Sequence, residues 1–109
     1  DVISGDDGIT FPLITLGAVG VISVIGNALP AEFSRMVRLA LKGEYNTSLS
    51  IHHKFTELFK LLFVDGNPAG VKAMLSEMGL IQNILRLPLI PTRLTTMEKI
   101  SQIVRELGY

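Results

Sequence analysis

Two pairs of adjacent side chains are the first candidates for chemistry: the carboxylates Asp6 and Asp7, and the imidazoles His52 and His53. Paired carboxylates after a strand could hold a divalent cation, but such a site needs further donors. No histidine or third carboxylate stands nearby at ligand spacing, so no metal site is expected. The duty expected of Asp6 and Asp7 is to bond the backbone of the following loop and to cap a helix over 10–16, whose N-terminus favours negative charge. Asn27 is expected to tie down a second such loop. His52 and His53 would point about 100° apart on a helix, which does not suit a shared metal and suits a solvated or interface face. Asn67 reads as a helix N-cap, Lys72 as a surface or interface charge, and Arg86 as a cation seeking a carboxylate or carbonyl.

These residues must be positioned by two kinds of element. Residues 1–7 and 20–27 read as strands that end in Gly, Asp and Asn, with a short helix over 10–16 between them. That is a βαβ unit with small polar residues at its strand ends, the usual place for a ligand in an α/β protein. From Pro30 the period becomes helical, with Phe33, Val37, Ala40 and Leu41 on one face and Gly43 as the stop. A longer helix over about 45–63 carries the stripe Ile51, Phe55, Leu58 and Leu62. Asn67-Pro68 supplies an N-cap and a first-turn proline for a helix bearing Val71, Leu75 and Met78, stopped by Gly79. Leu85–Pro91 has two prolines and reads as an ordered apolar connector. The run Thr95-Thr96-Met97-Glu98 has the form of a capping box that opens a last helix lined by Met97, Ile100, Val104 and Leu107.

Composition removes several classes of function. Ten Lys+Arg balance ten Asp+Glu, so the chain lacks the charge excess of a nucleic-acid surface or a polybasic membrane patch. Residues 11–29 form an uncharged run of nineteen, long enough to test as a membrane span. Pro12, Pro30 and five interruptions (Thr15, Gly17, Gly20, Ser23, Gly26) divide it into a helix and a doubly buried strand, so no membrane segment is expected. With no cysteine there are neither disulfides nor thiolate metal sites, and the cytoplasm is the default compartment. At 109 residues the chain holds one modest domain, whereas a full (β/α)₈ barrel needs about 250. Because it opens inside a βαβ unit, it is expected to be the C-terminal piece of a larger barrel enzyme.

SGDDG at 4–8, GVISVIGN at 20–27, NPAGVK at 67–72 and LRLPLIP at 85–91 together resemble the dihydrodipicolinate synthase family, in that family's order and spacing. The resemblance covers nearly all of this chain but only about the last third of a family member. It implies a fold class of α/β: the last two βα units of a (β/α)₈ barrel over 1–43, then a three-helix C-terminal extension over 44–109. It also implies a homo-oligomeric lyase that condenses pyruvate with aspartate semialdehyde, on the route to diaminopimelate and lysine, with no added cofactor. Pyruvate would be held as a Schiff base on a barrel lysine. That lysine, the proton-relay hydroxyls and the semialdehyde-binding arginine belong to strands before Asp1, so no catalytic residue is expected here. Lys42, Lys54, Lys60, Lys72 and Lys99 do not match the lysine's position, nor Tyr45 and Tyr109 the relay's. Gly5 and Ile22 match positions that face bound pyruvate through backbone groups. By itself the apolar context of Ile22 favours plain strand burial. The alternatives are a helical oligomerisation module, a related keto-acid aldolase, or a self-standing half-barrel with its own ligand.

Overall fold

The computed structural model describes all residues, Asp1–Tyr109. Seven regular elements follow in order: β1 (Ile3–Ser4), α1 (Thr10–Thr15), β2 (Gly20–Val21), α2 (Pro30–Leu41), α3 (Tyr45–Val64), α4 (Ala69–Glu77) and α5 (Leu94–Glu106). Single 3₁₀ turns at Asp7–Ile9 and Ile25–Asn27 follow the two strands. The chain divides into two compact units, Asp1–Phe59 and Lys60–Tyr109, and the division falls inside α3.

In the first unit β1 and β2 pair in parallel, Ile3 opposite Gly20 and Ser4 opposite Val21. The strands are far shorter than the spans 1–7 and 20–27 read from sequence. Asp6 N–H bonds Ser4 Oγ at 3.2 Å instead of continuing the ladder, and the chain turns into 3₁₀ geometry beyond Asp6 and Val24. Helix α1 packs on α2 through Ile14, Ala18 and Ala40, flanked by Phe11, Leu13 and Val37. The buried face of α2 is Phe33, Met36 and Ala40; the expected Leu41 is half exposed, and Met36 takes the inward place. Gly43, at φ +81°, ends α2, and Glu44 N–H reaches back to Leu39 O at 2.9 Å. That left-handed residue is what glycine supplies at low cost. Phe55 and Leu58 are buried as the stripe of α3 requires, and Ser48 Oγ donates 2.7 Å to Met36 O.

In the second unit α4 packs against α5, burying Val71, Ala73, Met74, Ile100 and Val104. Two helix starts differ from the sequence-based expectation. Pro68, not Asn67, occupies the N-cap of α4, with no side-chain cap. Gly70 N–H is satisfied instead by Gly66 O at 3.3 Å, which makes an Asn67 cap unnecessary. Helix α5 begins at Leu94 with Arg93 as N-cap, so Thr95 and Glu98 lie inside it and form no capping box. Its cap comes from a distant residue. Asp65 Oδ2 accepts Arg93 N–H at 2.9 Å, and Oδ1 accepts Arg93 Nε at 2.8 Å. The Thr96 hydroxyl, and after it Arg93, hold the Asp65 carboxyl below the usual carboxylate range. Residues 85–91 are irregular as expected, and Leu87, Leu89 and Ile90 lie exposed there. No helix is long and apolar enough to cross a membrane.

Candidate functional site

The candidate site lies where β1 and β2 end side by side. Ile22 N–H donates to Ser4 O at 2.9 Å, which continues the parallel register by one step and sets Gly5 beside Ile22. The two residues singled out from sequence, 17 apart in the chain, are therefore neighbours in space. In a parallel ladder the next rung would carry Asp6 N–H to the Ile22 carbonyl. Ser4 Oγ takes that N–H instead, so the ladder ends there and the Ile22 carbonyl accepts no bond from the first strand. Gly5 has no heavy atom within 4 Å of where a Cβ would be. Ile22 is 78% exposed, so plain burial does not describe it in this chain. Farther along, Ile25 is fully buried.

The turn after β1 is held by hydroxyls that the sequence reading missed. Ser4 Oγ lies 2.9 Å from Asp6 O and 2.9 Å from Thr10 Oγ1, and Thr10 Oγ1 donates 2.8 Å to Asp6 O. Ser4 and Thr10 are both buried, and a buried hydroxyl needs such partners. A serine two before, and a threonine four after, a strand-end aspartate was the available signal.

Asp6 and Asp7 do bond loop backbone, but neither caps α1, whose N-cap is Ile9 without a side-chain bond. Asp6 Oδ1 accepts Gly8 N–H at 2.8 Å and caps the intervening 3₁₀ turn. Asp7 is 1% exposed and crosses to the other loop, where Oδ2 accepts Val24 N–H at 3.1 Å and Ile25 N–H at 2.7 Å. The helical expectation failed because the 3₁₀ turn, not α1, presents the first free amides after the strand. Asn27 ties its loop as expected, donating to Val24 O at 3.0 Å.

The remaining polar candidates lie elsewhere. All five lysines sit on helices or at a helix end, and none lies on a strand. Lys72 Nζ donates to Ile84 O, and Arg86 is exposed. His53 is exposed, whereas His52 is half-buried against Phe11 and Phe59, with ring centroids 5.7 and 5.6 Å away. Burial, and after it the nearby His53, lower the His52 pKa. A separate groove of about 410 Å³ runs between β2 and α2, lined by Val21, Ser23, Phe33 and Arg38 among others; neither Gly5 nor Ile22 borders it.

Residues 1–107 match the model of the Dihydrodipicolinate synthetase family. The chain belongs to that family. It is 78% identical over 107 residues to the 4-hydroxy-tetrahydrodipicolinate synthase of Phocaeicola vulgatus, covering 98% of this chain and 36% of that protein. It is 73% identical over 108 residues to the synthase of Parabacteroides distasonis, again covering 36% of the relative. The chain thus spans about a third of the length of the curated relatives it matches. Among solved structures, the dihydrodipicolinate synthase of Aquifex aeolicus superposes with a TM-score of 0.94 at 36% identity, over 99% of this chain and 37% of that one. The Acinetobacter baumannii enzyme, solved in complex with pyruvate, superposes with a TM-score of 0.92 at 36% identity, over 98% of this chain and 37% of that one. The α/β arrangement described above, five helices and a two-stranded parallel sheet, is therefore shared with about a third of a synthase chain of this family.

Proposed function

We propose that residues 1–43 are the last two βα units of a (β/α)₈ barrel and residues 44–109 its three-helix C-terminal extension. On this assignment they are part of a cytoplasmic, homo-oligomeric synthase that condenses pyruvate with aspartate semialdehyde for diaminopimelate and lysine synthesis. By the family resemblance pyruvate is bound as a Schiff base to a strand lysine; the five lysines here lie on helices or at a helix end and do not match it. Gly5 and Ile22 supply backbone to the pyruvate subsite. The observation that carries this assignment is their adjacency at the two strand ends, with the Ile22 carbonyl free of the ladder. A glycine at that place lets a ligand approach the chain where a side chain would intrude.

The test is reductive trapping. The full-length protein treated with pyruvate and borohydride gains the mass of one reduced pyruvate adduct, and the isolated 109 residues gain none. In the full-length protein Gly5→Val raises the pyruvate KM or abolishes turnover. A covalent adduct on the 109-residue chain, or a folded Gly5→Val enzyme with unchanged pyruvate kinetics, overturns the proposal.

A further inference from the structure

We propose that Asp7 is a positioning residue for the pyruvate subsite, acting through the backbone of the second strand rather than by touching substrate. This rests on Gly5 and Ile22 facing pyruvate.

A carboxylate that is 1% exposed loses its hydration and must be compensated by close donors. Asp7 meets that need in one way: Oδ2 accepts both of its hydrogen bonds, from Val24 N–H and Ile25 N–H, while buried Oδ1 has no partner. The whole hold of this carboxylate is therefore on the backbone two and three residues after Ile22. Upstream, Ile22 N–H is fixed by Ser4 O at 2.9 Å. The Ile22–Ser23 peptide is pinned on both sides, by the first strand before it and by Asp7 after it. The direction of the Ile22 carbonyl follows from those two restraints. Both amides converge on one oxygen of a buried side chain, so the clamp holds two successive residues at a single point. Small errors in placing a binding group are expensive in an enzyme, which makes such a hold functional. Asp6 has no such reach: it is exposed, and its side chain bonds only the next turn of its own loop.

The experiment uses the full-length enzyme carrying Asp7→Asn or Asp7→Ala, with kcat and both KM values measured. Asn keeps an acceptor oxygen for the two amides and loses the charge, whereas Ala removes the clamp. The expected result is a pyruvate KM raised about threefold in Asp7→Asn and about tenfold or more in Asp7→Ala, graded as a charged acceptor is weakened and then deleted. The semialdehyde KM stays within about twofold, because the displaced group belongs to one subsite. A pyruvate KM unchanged in both variants overturns the proposal. So does an equal loss in all parameters, the signature of a general structural role. Should Asp7→Ala fail to fold, the pyruvate KM of Asp7→Asn decides alone, and no change there counts against the proposal. Gly5→Val, measured alongside, separates the two ideas. If that variant is impaired while the Asp7 variants are not, positioning by Asp7 fails alone; if Gly5→Val is normal, the subsite assignment itself fails.

Discussion

Gly70 in the NPAGVK run sets two opposing effects against each other. By helix propensity, Gly70→Ala in α4 should stabilise the chain by about 1 kcal/mol, through a better helix former and a less flexible unfolded state. The tertiary structure opposes this. A Cβ at Gly70 would lie 2.6 Å from both the carbonyl carbon and the Cα of Leu62, and closer still to the Leu62 carbonyl oxygen, where ordinary contact is 3.4–4 Å. Relief requires α4 to move off α3 by about 1 Å, set by the closest of these atoms, the Leu62 carbonyl oxygen. The obstructing atoms are backbone inside a helix, so no rotamer change can yield. Overpacking of this kind costs about 3 kcal/mol, the upper end of the usual range. The clash wins, and the net loss is about 2 kcal/mol. With a urea m-value of roughly 1.5 kcal/mol/M, the midpoint of denaturation followed by circular dichroism falls by about 1.3 M. Gly5→Ala in the same chain is the control. Nothing lies within 4 Å of its Cβ, so its stability should stay within about 0.5 kcal/mol of the parent. A Gly70→Ala midpoint equal to or above the parent's would refute the close-approach explanation.

Three further outcomes are expected. The folded-state pKa of His52 is lowered by burial, so the unfolded chain binds its proton more readily. The stability this contributes is present above about pH 6.5 and is lost as pH falls from there through the folded value. His52→Gln should flatten that part of the stability–pH curve, and an unchanged slope argues against the packing against Phe11 and Phe59 as its cause. Asp65 has a lowered pKa through Thr96 and Arg93, so its contribution is present above about pH 3.8 and lost as pH falls through the folded value. Asp65→Asn should lower the melting temperature at neutral pH and leave acid stability less pH-dependent; equal melting temperatures at pH 7 would remove Asp65 as the cap of α5. Finally, the isolated chain should self-associate, since the short sheet has open edges and Val2, Ile3 and Ile22 are 62%, 56% and 78% exposed. A folded species of only 11.9 kDa in sedimentation at micromolar concentration would contradict this.

Local pattern sufficed wherever an element depends on its own residues. Helix signals placed α2 and α3 to within one or two residues, though Met36 and not Leu41 turns inward on α2, because burial of one helix face is a repeated, short-range requirement. Gly43 and Gly79 stop their helices at positive φ, as their residue type allows. The motifs SGDDG and GVISVIGN marked Gly5 and Ile22 one by one, through resemblance rather than periodicity; that the two stand side by side came from the strand register. What only the tertiary structure decided involves groups far apart in sequence that complete one another. Strand lengths depend on whether a partner offers the next rung, and Ser4 Oγ ends this ladder where residue types still permit a strand. The capping box at Thr95–Glu98 is sound local chemistry, but the helix starts at Leu94, and Asp65, 28 residues before Arg93, accepts the N–H at that start. Asp7 likewise leaves its own loop and clamps the amides of Val24 and Ile25, 17 and 18 residues away. Hydrogen-bond donors at turns and helix ends accept any well-placed oxygen, near or distant, so their partners are chosen by the fold and not by the adjacent sequence.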